Sequence, residues 1–346
     1  MPIPIIKKIT GDFPKKLVKD IDILMSSLDY NPIWQTIEWQ MMLKKTKYVQ
    51  ESFFIGISKD KNLGAYALLE KRSIGFGKYG FFCIGGPVGE DAKSLEILSR
   101  EIKKLSIKKK VIFTQIEPLA PIILPEFSAG YYKNFIEKHT AIIDLKQDNE
   151  AILARMKPKW RYNIRVAEKA EVKVEQVPFS EENLGIFYNL LRETLERDEF
   201  AANSPEYFRV FLQYLEKQEL GGLFIAKREE KVIAAGIFVF YKETALYYYG
   251  ASSSDNTQRK YMASYLLQWE AIQKAQKRGC KVFDFLGIAD PSDSKSVLAG
   301  VTDFKLKLTD KTRVWPTSQI LVPKRFVYLI FTIKKTLKIW KSRLFG

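Results

Sequence analysis

Residues 246–287 constrain the fold more than any other part of the chain, because their hydrophobic period changes twice within one short span. The apolar run Leu246, Tyr247, Tyr248, Tyr249 gives way to the polar segment GASSSDNTQRK. After it, Leu266, Trp269, Ile272 and Ala275 recur at helical spacing, and Gly279 offers the left-handed residue that ends a helix. Val282, Phe283 and Phe285 then resume as a short buried strand. These pieces form a β-loop-α-β unit. Its loop is expected to present backbone N–H groups, at the helix start, to an anion or to the polar end of a substrate.

Two apolar runs precede this unit. Residues 223–226 and 232–241 are joined by the charged turn Arg228-Glu229-Glu230-Lys231, and Lys242-Glu243-Thr244 leads on to Leu246. The order is therefore β-β-β-α-β, which resembles the core of the GCN5-related N-acyltransferase (GNAT) fold. Members of that fold that use coenzyme A carry a Q-x-x-G-x-G/A loop, whose backbone wraps a pyrophosphate. The matching segment here is Gln258-Arg259-Lys260-Tyr261-Met262-Ala263, with Tyr261 in the first glycine slot. A bulky residue there blocks the approach, so a donor other than coenzyme A is expected, and no cofactor. The first half repeats the order: apolar runs at 53–57, 65–70 and 79–84, the turn Gly85-Gly86-Pro87, a helix over 94–105 and a strand at 111–116. Two tandem acyltransferase-like α/β domains, with mixed sheets flanked by helices, account for both halves.

With 346 residues and a hydrophobic share of 46%, the chain can fill two cores. Lysine and arginine outnumber aspartate and glutamate by 56 to 40, a net charge of +16. Such an excess points to a polyanionic partner, whether nucleic acid, an anionic membrane surface or a phosphate-bearing substrate. A lysine-rich proteome would give the same balance, and composition alone does not separate the two. The cysteines Cys83 and Cys280 fit reduced core thiols of a cytoplasmic protein better than a disulfide frame. A lone histidine, His139, argues against a histidine-based triad or a metal site, and the opening MPIPIIKKIT has no secretory pattern.

Four segments carry a closer resemblance. They are K-x-K-W-R-x-N-I-R-x-A at 157–167, Y-x-L-Q-W-E-A-I at 265–272, R-G-C-K-V-F-D-F-L-G at 278–287 and G-V-x-x-F-K at 300–305, supported by W-Q-T-I-E-W at 34–39. In this order they resemble the FemABX-type peptidoglycan bridge-forming aminoacyltransferases. The resemblance implies a monomeric enzyme that takes an amino acid from aminoacyl-tRNA and joins it to an amine on the stem peptide of a peptidoglycan precursor. That acceptor is the UDP-linked pentapeptide (UDP-MurNAc-pentapeptide) or its lipid-linked form (lipid II). A tRNA ester in place of a thioester agrees with the missing glycine. Some relatives insert a coiled-coil arm in the second domain, whereas residues 181–218 read as ordinary helices without heptads. Two other functions stay open: a GNAT-type acyltransferase with another activated donor, and a non-catalytic protein that binds tRNA or a membrane surface.

The resemblance also assigns residues. Lys305 matches the lysine of the family's F-K motif, which is implicated in catalysis. A cation at the oxyanion of the tetrahedral intermediate would contribute about 3 kcal/mol. Read by its alternation with Lys307, the same lysine fits a strand facing solvent. For the acceptor, Lys44 (or its neighbour Lys45) follows the W-Q-T-I-E-W motif, and Arg197 occupies the arginine of T-x-x-R-D-x-F. Arg197 also fits an ordinary pair with Asp198 or Glu193. Tyr249 ends a strand, where its hydroxyl faces the acceptor or its ring packs. Asp284 is either a general base or a buried tie between strand and loop.

Asp148 can cap a short helix that Pro158 interrupts, and a second helix follows. Arg161, Arg165 and Lys169 share one face of it, with Lys157 and Lys159 just ahead and Trp160, Ile164 and Ala167 as the apolar stripe. Cations beside an indole form a contact surface for tRNA, or else a solvated helix face. The break between domains is placed after residue 147, giving domains 1–147 and 148–316, with 317–346 returning to the first. This last segment has no acidic residue; Phe326, Ile330, Ile333, Leu337, Trp340 and Leu344 form one stripe, opposite Lys334, Lys335, Lys338 and Lys341. Such a helix either packs on the first domain or lies on an anionic bilayer, which would make a cytoplasmic protein peripheral at the inner face of the membrane.

Overall fold

A computed structural model describes residues 2–60, 62–89, 91–198, 202–290, 292–293, 296 and 298–345, with backbone alone at 198 and 336–345. The chain divides into two units, Met1–Ile136 with Pro316–Gly346, and Glu137–Trp315. In chain order the first contributes β1 (Ile3–Lys8), α1 (Lys15–Ser26), α2 (Ile37–Lys45), β2 (Glu51–Lys59), β3 (Asn62–Gly75), β4 (Lys78–Ile84), β5 (Val88–Gly89), α3 (Ala92–Lys108), β6 (Thr114–Glu117) and β7 (Ser128–Ala129). The second begins with β8 (His139–Asp144), α4 (Asn149–Arg155), α5 (Pro158–Lys169), β9 (Lys173–Val177), α6 (Glu181–Asp198) and α7 (Pro205–Lys217). It continues with β10 (Gly221–Arg228), β11 (Lys231–Tyr241), β12 (Thr244–Ser252), α8 (Asn256–Arg259), α9 (Ala263–Lys277), β13 (Val282–Ile288), α10 (Ala299–Leu306) and β14 (Thr312–Val314). The chain then returns to the first unit as β15 (Gln319–Leu321) and α11 (Arg325–Phe345).

Among the described residues the first sheet runs β1-β2-β3-β4-β6-β15-β7 with β5 on β3, and the second runs β14-β8-β13-β12-β11-β10-β9. Each sheet has one parallel pair, β4 with β6 and β12 with β13. A parallel pair needs a crossover, which α3 and α9 supply. The β-β-β-α-β order expected for both halves is thus present twice, with the same parallel step.

Both sheets are covered on two faces. In the second unit Phe224, Ala226, Phe238, Phe240, Phe283 and Phe285 pack against Trp160, Ile164, Leu266, Trp269 and Ile272 of α5 and α9. Residues of opposite parity, such as Ile225 and Ile237, are also buried, on the face that α6 and α7 cover. Residues 181–198 and 205–217 thus form two helices packed on one face of the sheet. In the first unit Phe53, Ile55, Ala67, Leu69 and Phe81 meet Leu98, Ile102 and Leu105 of α3.

The structural break lies at Ile136/Glu137, ahead of the break expected after residue 147. The reason is β8: Phe283 pairs with Ile143, and Arg313 pairs with Thr140, so this strand sits inside the second sheet between β13 and β14. Loop composition around residue 147 carried no information about which ladder the strand joins.

Candidate active site

The site is built on the far end of β13. Its ladder with β8 shifts register between Asp284 and Gly287, and inside that bulge Leu286 takes a left-handed conformation with φ +58°. Asp284, fully buried, accepts the Leu286 N–H at 2.7 Å through Oδ1. The Thr140 hydroxyl from β8 lies between the same Oδ1 and the Leu286 carbonyl (2.9 Å), and donates to one of them. Asp284 is therefore the tie between strand and bulge. Gly287 is required by close approach: a Cβ there would come within 2.4 Å of the Glu137 side chain.

The bulge turns two carbonyls toward Lys305. Its Nζ donates to Gly287 O at 2.7 Å and contacts Leu286 O at 3.5 Å. Lys305 is only 7% exposed. Burial pushes its ammonium down from 10.5 to about 8, while the charges of Asp284 and Glu137 pull it back up. The expectation of a strand here is corrected: Lys305 lies on α10, whose Phe304 packs on Trp160 (4.8 Å) and Tyr265 (5.9 Å). Beside the bulge, His139 Nε2 lies 3.2 Å from Asp290, whose carboxyl is held below its usual range by Ser292 and His139. The sequence singled out Lys305 and Asp284; it carried no sign of Thr140, of Glu137, or of the two carbonyls, because a bulge is a property of two paired strands.

The other expected residues fall elsewhere. Tyr249 packs edge-on to Phe208 (4.8 Å) and its hydroxyl accepts from Asn203 at 2.7 Å. Arg197 is exposed in the last turn of α6, and Glu193, one turn earlier, accepts the Ser254 N–H at 2.7 Å. The polar loop was expected to offer its N–H groups to a ligand. Three of them are already taken: Ser254 by Glu193, Asp255 by the Ser253 hydroxyl and Thr257 by the Asp255 carboxylate. Tyr261 is anchored under Arg228, 4.6 Å from its ring, with a 3.2 Å bond to its hydroxyl. Lys44 belongs to the first unit, exposed in the last turn of α2, which Thr36 caps at the Trp39 N–H. In that same motif Gln35 is buried, accepting from Leu68 N–H and donating to Ile84 O, so it serves the fold.

On α5, Lys157, Lys159, Arg165 and Lys169 are exposed. Arg161 is not equivalent to them. Its Nη1 donates to the carbonyls of Leu153 (3.2 Å), Ala154 (3.1 Å) and Met156, which closes the end of α4. Trp160 is fully buried against Tyr265, so the indole expected beside the cations is not available to stack on a base. The Lys157 N–H also donates to Lys307 O at 3.0 Å, tying the start of α5 to the end of α10.

Two β-β-β-α-β units, each closed by one parallel step, define a tandem GNAT-like protein. A solved tandem GNAT protein from the clavulanic acid biosynthesis pathway aligns with a TM-score of 0.55 over 94% of this chain and 99% of its own, at 10% identity. A crystal structure of FemX aligns better, with a TM-score of 0.79 over 90% of this chain and 97% of that one, at 16% identity. The FemAB family model matches residues 125–221 and 215–332. The chain belongs to the FemAB family. It is similar to the lipid II:glycine glycyltransferase of Staphylococcus epidermidis, 22% identical over 55% of this chain, and there it spans 58% of that relative's length. It is also similar to the aminoacyltransferase FemA of Staphylococcus aureus, 21% identical over 94% of this chain and 99% of the relative.

Proposed function

We propose that the protein is an aminoacyltransferase that moves an amino acid from aminoacyl-tRNA to an amine of a peptidoglycan precursor. Membership of the FemAB family and the aminoacyl- and glycyltransferase names of its relatives support the reaction class. The observation that carries the chemistry is the buried Lys305, whose ammonium is aimed by two backbone carbonyls. An ammonium has three donors, and these contacts leave one for a reacting oxygen.

In this reading the acceptor amine attacks the ester carbon and an N–C bond forms as the carbonyl oxygen becomes an oxyanion. The third N–H of Lys305 stabilises that oxygen. Collapse of the intermediate breaks the C–O bond to the ribose, and the proton lost from nitrogen ends on the leaving hydroxyl. Lys157, Lys159, Arg165 and Lys169 meet the tRNA backbone, Arg197 and Tyr249 contact the acceptor from the second unit, and Lys44, in the first unit, is proposed separately as an acceptor contact. The test mixes the protein with a full set of charged tRNAs and either the UDP-linked or the lipid-linked pentapeptide, and reads product masses. A gain of one or more aminoacyl residues is expected; no mass gain with either acceptor refutes the proposal.

A further inference from the structure

Where its side chains are described, the C-terminal helix has two apolar faces, one packed against the first unit and one exposed. Tyr328, Phe331 and Lys335 fall on one side. Tyr328 meets Phe113 at 6.1 Å, Phe331 meets Phe76 and Tyr132 at 6.3 and 6.2 Å, and the Lys335 ammonium sits 3.8 Å over the Tyr132 ring. Phe331 is accordingly buried at 5% exposure. At about 100° per residue, Phe326, Leu329, Ile330 and Ile333 lie on the opposite side. They are 74, 55, 39 and 51% exposed. The stripe seen in the sequence thus does not pack on the first unit where its side chains are described; its reverse face does. Four large apolar side chains in eight residues, aligned and uncovered, are far more than scattered surface hydrophobics amount to.

We infer that this outward face of α11 docks on the surface of an anionic lipid bilayer. Charge selects that occupant. The described part of the helix carries Arg325 and Lys334 to either side of the stripe, and its sequence has no acidic residue, so an apolar stripe runs between cations, the pattern of a helix lying in a headgroup layer. Two copies meeting face to face would bring those like charges together. A nucleic acid would be met by apolar side chains. No described helix is long and apolar enough to cross a membrane, so the helix lies on the bilayer. The inference stands independently of the acyl-transfer reading.

The full chain is sedimented with vesicles of phosphatidylcholine containing about a third phosphatidylglycerol, and with phosphatidylcholine alone. Binding is expected to the anionic vesicles, to weaken several-fold in 0.5 M salt without vanishing, and to fall at least about tenfold in L329E/I333E. Both substituted residues are exposed, so the melting temperature of the variant should match the wild type. Absence of wild-type sedimentation overturns the inference, as does equal binding by the double variant. A wild-type dimer by light scattering that L329E/I333E dissociates, without vesicle binding, also overturns it and assigns the face to a second copy. No transfer assay enters, so failure here leaves the proposed reaction untouched.

Discussion

Replacing Lys305 by methionine should weaken catalysis and strengthen the fold at once. The ammonium is held at about 8 against an ordinary 10.5. At about 1.4 kcal/mol per tenfold in proton affinity, this places a penalty of roughly 3 kcal/mol on the folded state at pH 7. Methionine removes that penalty but leaves Gly287 O without its 2.7 Å donor, at a cost of about 1–2 kcal/mol. A net gain of about 1–2 kcal/mol is expected in Lys305→Met, with turnover reduced roughly a hundredfold or more. The pH dependence carries the sign. Because the folded value lies below the unfolded one, the unfolded chain binds more protons between pH 8 and 10.5, and stability rises with pH across that window. About 2 kcal/mol of the wild-type penalty should be relieved by pH 9.5. The assay compares urea unfolding of the full chain at pH 7 and 9.5, wild type against variant, alongside single-turnover transfer rates. A variant that is less stable at pH 7 and keeps the same pH response would refute the buried-cation argument, and unchanged turnover would refute the catalytic one.

Asp284→Asn removes a charge that holds the Lys305 proton on; the alkaline limb of the transfer rate, expected near pH 8, should move to lower pH, and an unmoved limb counts against Asp284 as a positioning residue for Lys305. Burial lifts the Glu117 carboxyl from 4.5 to about 7 despite N–H donors from Ile136, Phe135 and Gln115. Its folded value lies above the unfolded one, so the stability it contributes is fully present below pH 4.5 and lost as pH rises through 7; urea midpoints should fall over that range in the wild type and flatten in Glu117→Gln. Arg161→Ala should destabilise by about 1–2 kcal/mol through the open end of α4, whereas K159A/R165A/K169A should leave stability unchanged and reduce the salt dependence of charged-tRNA binding by about 2 in log-log slope. An unchanged slope in that triple variant returns the face to ordinary solvated lysines and arginines.

Much of the fold was legible because its signals are local. Gly279 does take a left-handed conformation (φ +81°) after α9, Asp148 caps α4 at the Ala151 N–H, and Pro158 opens α5. Each depends only on near neighbours in the chain. What was not legible depends on pairing across the sheet. The home of β8 is set by Phe283 and Arg313, more than a hundred residues away. Lys305 alternates with Lys307 as a strand would, yet Phe304 packs against the Trp160–Tyr265 pair and the segment coils into α10. Arg161 shares a spacing of four with Arg165 and Lys169, and that spacing is blind to the three carbonyls that one of them caps.

The ends of the second unit meet. Trp315 N–H donates to Lys138 O at 2.8 Å, and Val314 pairs with His139. The first unit, in contrast, needs β15 between β6 and β7, from a segment made after the whole second unit. During synthesis the second unit has all its strands as soon as residue 315 leaves the ribosome, while the first waits with the edge of β6 open until residues 319–321 follow. The unit begun first is therefore completed last. A released chain ending at residue 315 should carry a protease-resistant second unit beside an unfinished first one.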